Sequence, residues 1–93
     1  MTKGHILIRV YGRVQGVCFR YFTQDTAQML KLKGYVRNLP SGDAVEVEAE
    51  GDKQQLDKLL EQLKIGPPAA WVKKVEVKWT SYSGRFTDFS IEY

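Results

Sequence analysis

YVRNLPSGDAVEVEAEGDKQQLDKLLEQL, residues 35–63, changes its hydrophobic period partway along. Val45, Val47 and Ala49 alternate with Glu46, Glu48 and Glu50, the period of a half-buried strand. Upstream, Pro40-Ser41-Gly42-Asp43 carries the residues of a tight turn. Tyr35 to Leu39 is then the partner strand of a hairpin. Downstream the period lengthens. Leu56, Leu59, Leu60 and Leu63 stand at i, i+3, i+4 and i+7, a helix stripe facing a core. Asp52 precedes that helix as its cap, with Gln55 in the reciprocal capping position. Gly66-Pro67-Pro68 stops it.

Working outward, Ile6, Ile8 and Val10 alternate with Leu7, Arg9 and Tyr11, predicting a strand with one strongly apolar face. Phe19, Phe22, Thr26, Met29, Leu30 and Lys33 fall at helical spacing, predicting a helix from about Phe19 to Lys33 with Gly34 as a left-handed cap. Val75, Val77 and Trp79 alternate with Glu76 and Lys78. After a turn at residues 81–84, Thr87, Phe89, Ile91 and Tyr93 form one face of a last strand. The order is β-α-β-β-α-β-β. Its first six elements are the split βαβ pattern. The expected fold is therefore α+β, a ferredoxin-like sandwich. An antiparallel sheet with both helices on one face is extended by a short C-terminal strand. No repeat or linker interrupts the 93 residues, so a single domain over 1–93 is expected.

Composition excludes several chemistries. Hydrophobic residues make up 43% and charged residues 27%, which argues against intrinsic disorder. No apolar run approaches the ~18–20 residues of a membrane span, and no secretory leader is visible, so cytoplasmic residence without membrane contact is expected. There is one Cys, Cys18, and one His, His5. No zinc site can be built from them, and a nucleophilic triad would have to take His5 as its base. Residues 1–38 hold seven Lys/Arg and one acid, Asp25, whereas residues 39–62 hold two Lys and seven acids. The N-terminal part suits a negative ligand, or its basic residues simply solvate one helix.

The segment Gly12-Arg13-Val14-Gln15-Gly16-Val17-Cys18-Phe19-Arg20 leads from a strand into a helix N-terminus. Unpaired amides and the helix dipole favour an anion there. Gly16 can adopt a positive φ and let successive amides converge. Arg20, just inside the helix, opposes the dipole unless a phosphate offsets it, and its guanidinium matches phosphate oxygens bidentately. Taken alone, the same residues also describe a tight turn followed by an exposed arginine. Asn38, before Leu39-Pro40, reads by itself as a turn asparagine.

This segment resembles the signature of the acylphosphatases, small enzymes that hydrolyse carboxyl–phosphate anhydrides. Gly34-Tyr35-Val36-Arg37-Asn38, followed by Gly42 and Gly51, is similar to the family's second signature. Length, element order and the terminal Tyr93 also agree. The resemblance implies that the backbone of Gln15, Gly16, Val17, Cys18, Phe19 and Arg20 cradles a phosphoryl group. It implies that the Arg20 side chain binds that group and that the Asn38 amide orients the attacking water. It implies an acyl phosphate as substrate, with inorganic phosphate as product and competitive inhibitor. Residues 1–38 offer almost no carboxylate to hold a metal, so no metal and no cofactor are expected, and without an evident exposed apolar stripe a monomer is expected. Two features depart from the family's usual form. The turn between Asn38 and Val45 is one residue longer, and Glu92 stands where a basic residue is frequent.

Elementary chemistry is consistent with so small a set. A carboxylate leaving group, conjugate-acid pKa ~4, departs without protonation. Phosphoryl transfer is catalysed mainly by positioning and charge stabilisation, and an arginine stays charged at working pH. Two other functions suit the fold. An RNA-binding module would stack bases on sheet aromatics within basic motifs; here the acids of residues 46–50 oppose it, and no nucleic-acid partner is expected. A sensor domain would bind an acyl phosphate without turnover; the intact Arg20 and Asn38 favour an enzyme. For the rest, Cys18 is read as a small packing residue rather than a nucleophile, His5 as a surface strand residue, and Glu46, Glu48 and Glu50 as an exposed face. Tyr35, Trp71 and Trp79 are read as core or sheet-covering aromatics, and Lys73 and Lys74 as solvated charges.

Overall fold

The computed structural model describes residues 2–93; Met1, counted in the single-domain expectation, lies outside them. Seven elements follow in order: β1 (Lys3–Arg13), α1 (Phe19–Met29), β2 (Lys33–Asn38), β3 (Ala44–Asp52), α2 (Lys53–Ile65), β4 (Trp71–Thr80) and β5 (Phe89–Glu92). They build one five-stranded sheet in the order β4-β1-β3-β2-β5. The four strands of the split βαβ pattern pair antiparallel, as expected. The added β5 departs from the expectation of a wholly antiparallel sheet, since it runs parallel to β2, Val36 opposite Ile91. The chain leaves β4 at the far edge and crosses the sheet before β5, so it re-enters in the direction of β2. No helix among the described residues is long and apolar enough to cross a membrane.

The alternation read from the sequence decides which face is covered. Ile6, Ile8, Val10, Val36, Val45, Val47 and Ala49 point to one side and are buried. Phe19 and Ala27 of α1 and Leu56, Leu59 and Leu63 of α2 close over them. Burying a side chain of this size contributes roughly 1.5–3 kcal/mol, so this layer dominates the favourable side of folding. Asp52 caps α2 by accepting from the Gln54 amide at 2.9 Å. No reciprocal side-chain bond from Gln55 is made among the described residues, so the cap is one-sided.

α1 is shorter than its hydrophobic spacing predicts. It ends at Met29, which is 76% exposed rather than part of the core stripe. Lys31 takes the left-handed turn (φ 58°), and Leu32 swings into the core. Gly34 is a strand residue, not the cap. It faces Ala49, and a β-carbon there would stand 1.8 Å from the Glu48 carbonyl oxygen. The glycine is required for close strand approach, so the helix must finish before it.

The other face carries the acids of β3, and here the expectation of an exposed acidic strand is corrected. Glu46 and Glu50 are buried, Glu48 half-buried. β3 is a central strand, and neighbours on both sides supply partners. Glu46 accepts from Arg9 (3.2 Å), Arg37 (3.0 Å) and the Tyr35 hydroxyl (2.8 Å). His5 is 7% exposed, not a surface residue; it donates through Nε2 to Glu48 (2.7 Å) and shares a bond at Nδ1 with Thr80. Arg85 also binds Glu48. Glu50 accepts from the amide and hydroxyl of Ser83, both 2.7 Å, and from the Gly84 amide (3.0 Å). The segment before β5 is thereby tied across this face. Of the three aromatics, Tyr35 packs near Phe86 on this side, whereas Trp71, 68% exposed at the β4 edge, is not a covering residue.

Candidate active site

The strand-to-helix segment turns twice through the left-handed region. Gly16 has φ 73° and Cys18 φ 62°, ψ 23°. A β-carbon at Gly16 would meet nothing within 4 Å, so backbone angle alone demands glycine there. Cys18 occupies the N-cap of α1 without a side-chain cap bond, and its carbonyl accepts the first helical bond from Phe22 at 3.0 Å. Cys18 is exposed, which corrects its reading as a packing residue. No carbonyl among the described residues accepts from the amides of Gly16, Val17 and Cys18. The first amides of α1 are open for the general reason that a helix start leaves its donors unpaired. The result is a cluster of unpaired N–H groups with open space in front of it.

That space is a cleft of about 290 Å³ lined by Val14, Gly16, Cys18, Phe19, Arg20, Tyr21, Asn38, Ile91 and Tyr93. Arg20 and Asn38, eighteen positions apart, meet in it. α1 delivers the first. The last residue of β2 delivers the second, on the same sheet face as buried Val36. Arg20 is set against the C-terminal strand: its Nη1 donates to the Glu92 carbonyl at 3.4 Å, and its guanidinium lies 4.6 Å from the centre of the Tyr93 ring. Among the described residues it has no carboxylate partner, so its charge is available to an anion. The lining contains no Asp or Glu side chain either.

Of the six loop residues singled out in the sequence, Gly16, Cys18, Phe19 and Arg20 line the cleft, and Gln15 and Val17 do not. Val17 packs against the core. Gln15 reaches the other way, its amide nitrogen donating to the carbonyls of Leu39 (2.8 Å) and Ala44 (2.9 Å). Sequence reading missed Val14, Tyr21, Ile91 and Tyr93 as lining residues. Ile91 is explained by the parallel pairing of β5 with β2, which sets it opposite Val36, two residues before Asn38. Its alternation with Phe89 and Tyr93 was visible, but its strand partner was not.

The geometry has counterparts. The family model described as Acylphosphatase matches residues 6–91. An acylphosphatase of Dehalococcoides mccartyi is 54% identical over 84 residues, 90% of this chain and 92% of the relative. One from Pyrobaculum calidifontis is 45% identical over 91 residues, 98% of this chain and 81% of the relative. The crystal structure of an acylphosphatase from Bacillus subtilis superposes with a TM-score of 0.92 at 40% identity, covering 97% of this chain and 99% of that one. A matching fold and near full-length similarity agree: the chain belongs to the acylphosphatase family, hydrolases of acyl phosphates.

Proposed function

We propose that the phosphoryl group of an acyl phosphate sits in the cleft against the amides of residues 16–21 and the Arg20 guanidinium, and that Asn38 holds the attacking water. The observation that carries this is the meeting of Arg20 and Asn38 in one cleft, beside a loop of unpaired amides and without an Asp or Glu side chain. Fixed N–H dipoles and a free guanidinium are suited to the equatorial oxygens, which carry the transition-state charge. The carboxamide of Asn38 accepts a hydrogen bond from water and donates one, which orients a lone pair in line with the breaking P–O bond. It is too weakly basic to deprotonate that water. The proton therefore passes late, to a phosphoryl oxygen, as the acyl carboxylate departs. The products are a carboxylate and inorganic phosphate. The reading gives no step to a metal or a cofactor, and the lining offers no Asp or Glu side chain to anchor a divalent ion.

The cleft is complete within one chain, which supports a monomer; the free thiol of Cys18 suits the reducing cytoplasm. On the sheet face Glu46 and Glu48 pair with cations and Glu50 with Ser83 and Gly84, and the reading involves no nucleic-acid partner. Hydrolysis of benzoyl phosphate in ¹⁸O-water tests the chemistry. One label per turnover is expected in phosphate and none in benzoate, with inorganic phosphate inhibiting competitively. Label in benzoate would place the attack at carbon and overturn the proposal.

A further inference from the structure

We infer that Gln15 is a positioning residue that acts through Asn38, its side chain fixing the anion loop to the hairpin on which Asn38 stands. The inference rests on the site reading given above. Gln15 sits at the start of the loop yet does not line the cleft. Its Nε2 donates both hydrogens across the gap between loop and hairpin, to Leu39 O at 2.8 Å and Ala44 O at 2.9 Å. Those two carbonyls belong to the neck of the β2–β3 hairpin, closed by the Leu39 amide on Ala44 O at 2.9 Å. Leu39 directly follows Asn38. A second bond, from the Gly12 amide to Asp43 O at 2.9 Å, ties the same two segments nearby. Within the loop, the amides and Arg20 hold their places through α1 and the C-terminal strand, independently of Gln15. What Gln15 sets is the distance between that unit and Asn38.

The local hydrogen-bond balance separates this role from a structural one. Each carbonyl bound by Gln15 also accepts a backbone amide, Gly42 on Leu39 O (3.2 Å) and Leu39 on Ala44 O. Removing the Gln15 amide therefore leaves no carbonyl without a donor, and the hairpin closes without it. A buried carbonyl stripped of all partners would be costly; these are not. The loss falls on placement, to which in-line attack is steeply sensitive.

The test is Gln15→Met, of similar length but unable to donate, assayed with benzoyl phosphate alone and combined with Asn38→Ala. The expected result is a fall in kcat of about 10-fold or more, with KM, the inhibition constant of inorganic phosphate and the melting curve near those of the parent. In the Asn38→Ala background the same substitution is expected to change kcat by less than about 2-fold, because residues acting as one unit are non-additive. An unchanged kcat, an equal loss in both backgrounds, weakened phosphate binding, or failure of Gln15→Met to fold would each overturn the inference. If Asn38→Ala itself retained parental kcat, the underlying site reading would fall, an outcome distinct from the others.

Discussion

Cys18 stands in a conformation that a β-carbon tolerates poorly, φ 62° and ψ 23°, at the mouth of the cleft. Such strain costs of order 1 kcal/mol or more and persists where the surroundings impose it. Here it stands at the N-cap, where the chain turns into α1. Gly16 announced its positive φ through its residue type. Cys18 did not, because its angle is set by the entry into the helix rather than by its side chain. The same limit applies to Gln15, whose position in the signature was legible but whose side-chain bonds to Leu39 and Ala44 depend on a hairpin 24 and 29 residues away. The thiol is exposed, yet the reaction described above gives sulfur no part. Cys18→Ser is thus expected to keep kcat/KM within about 3-fold of the parent. Loss of 10²-fold or more, as for removal of a positioned catalytic group, would make Cys18 a nucleophile and displace the role assigned to water.

At the level of elements, β3 shows what alternation reveals and what it conceals. Its apolar face was readable residue by residue. Its acidic face was readable too, but not its burial, since alternation does not say whether a strand is central or at an edge. Flanked by β1 and β2, β3 must neutralise three carboxylates in place. Burial pushes the Glu46 carboxyl up, but Tyr35, Arg37 and Arg9 outweigh it and hold it below the ordinary range. Burial opposes ionisation of Glu48 and Glu50 likewise, and His5, Tyr35 and Arg85 for the first, Ser83 and Gly84 for the second, bring both below the usual value. Burial and the neighbouring carboxylates push the Tyr35 phenol up. A carboxyl lowered in the folded state binds its proton more readily when unfolded. Its stabilisation is fully present above the ordinary carboxylate range and is lost as pH falls through the lowered values. The melting temperature should accordingly be flat near neutrality and fall below about pH 4.5. In Glu50→Gln the acid slope should be shallower; an unaltered slope would remove Glu50 from the set.

Across the whole molecule, the uneven charge along the chain resolves into two separate systems. The acids of residues 43–50 are drawn mostly to the sheet face away from the helices, where Arg9, Arg37, Arg85 and His5 pair with Glu46 and Glu48, and Ser83 and Gly84 hold Glu50. Arg20 is left at the opposite end of that balance, with a carbonyl and an aromatic ring as neighbours and no carboxylate. Net charge along the sequence pointed to an anion, but only the fold shows that Arg9, Arg37 and Arg85 are engaged by carboxylates while Arg20, among the described residues, is not. Element order, covered face and the two residues of the cleft were all legible. The parallel return of β5 was not, because direction in the sheet follows from the path of the loop, and that path is fixed by Ser83, Gly84 and Arg85 meeting β3. The central claim, that Arg20 and Asn38 act together on an acyl phosphate in a cleft needing no metal, is tested most directly by steady-state hydrolysis of benzoyl phosphate. The assay is run in EDTA for the parent, Arg20→Ala and Asn38→Ala. Rapid turnover by the parent and a loss of about 10²–10³-fold or more in each folded variant is the predicted result. Parental turnover that survives either substitution, or vanishes with EDTA, would contradict it.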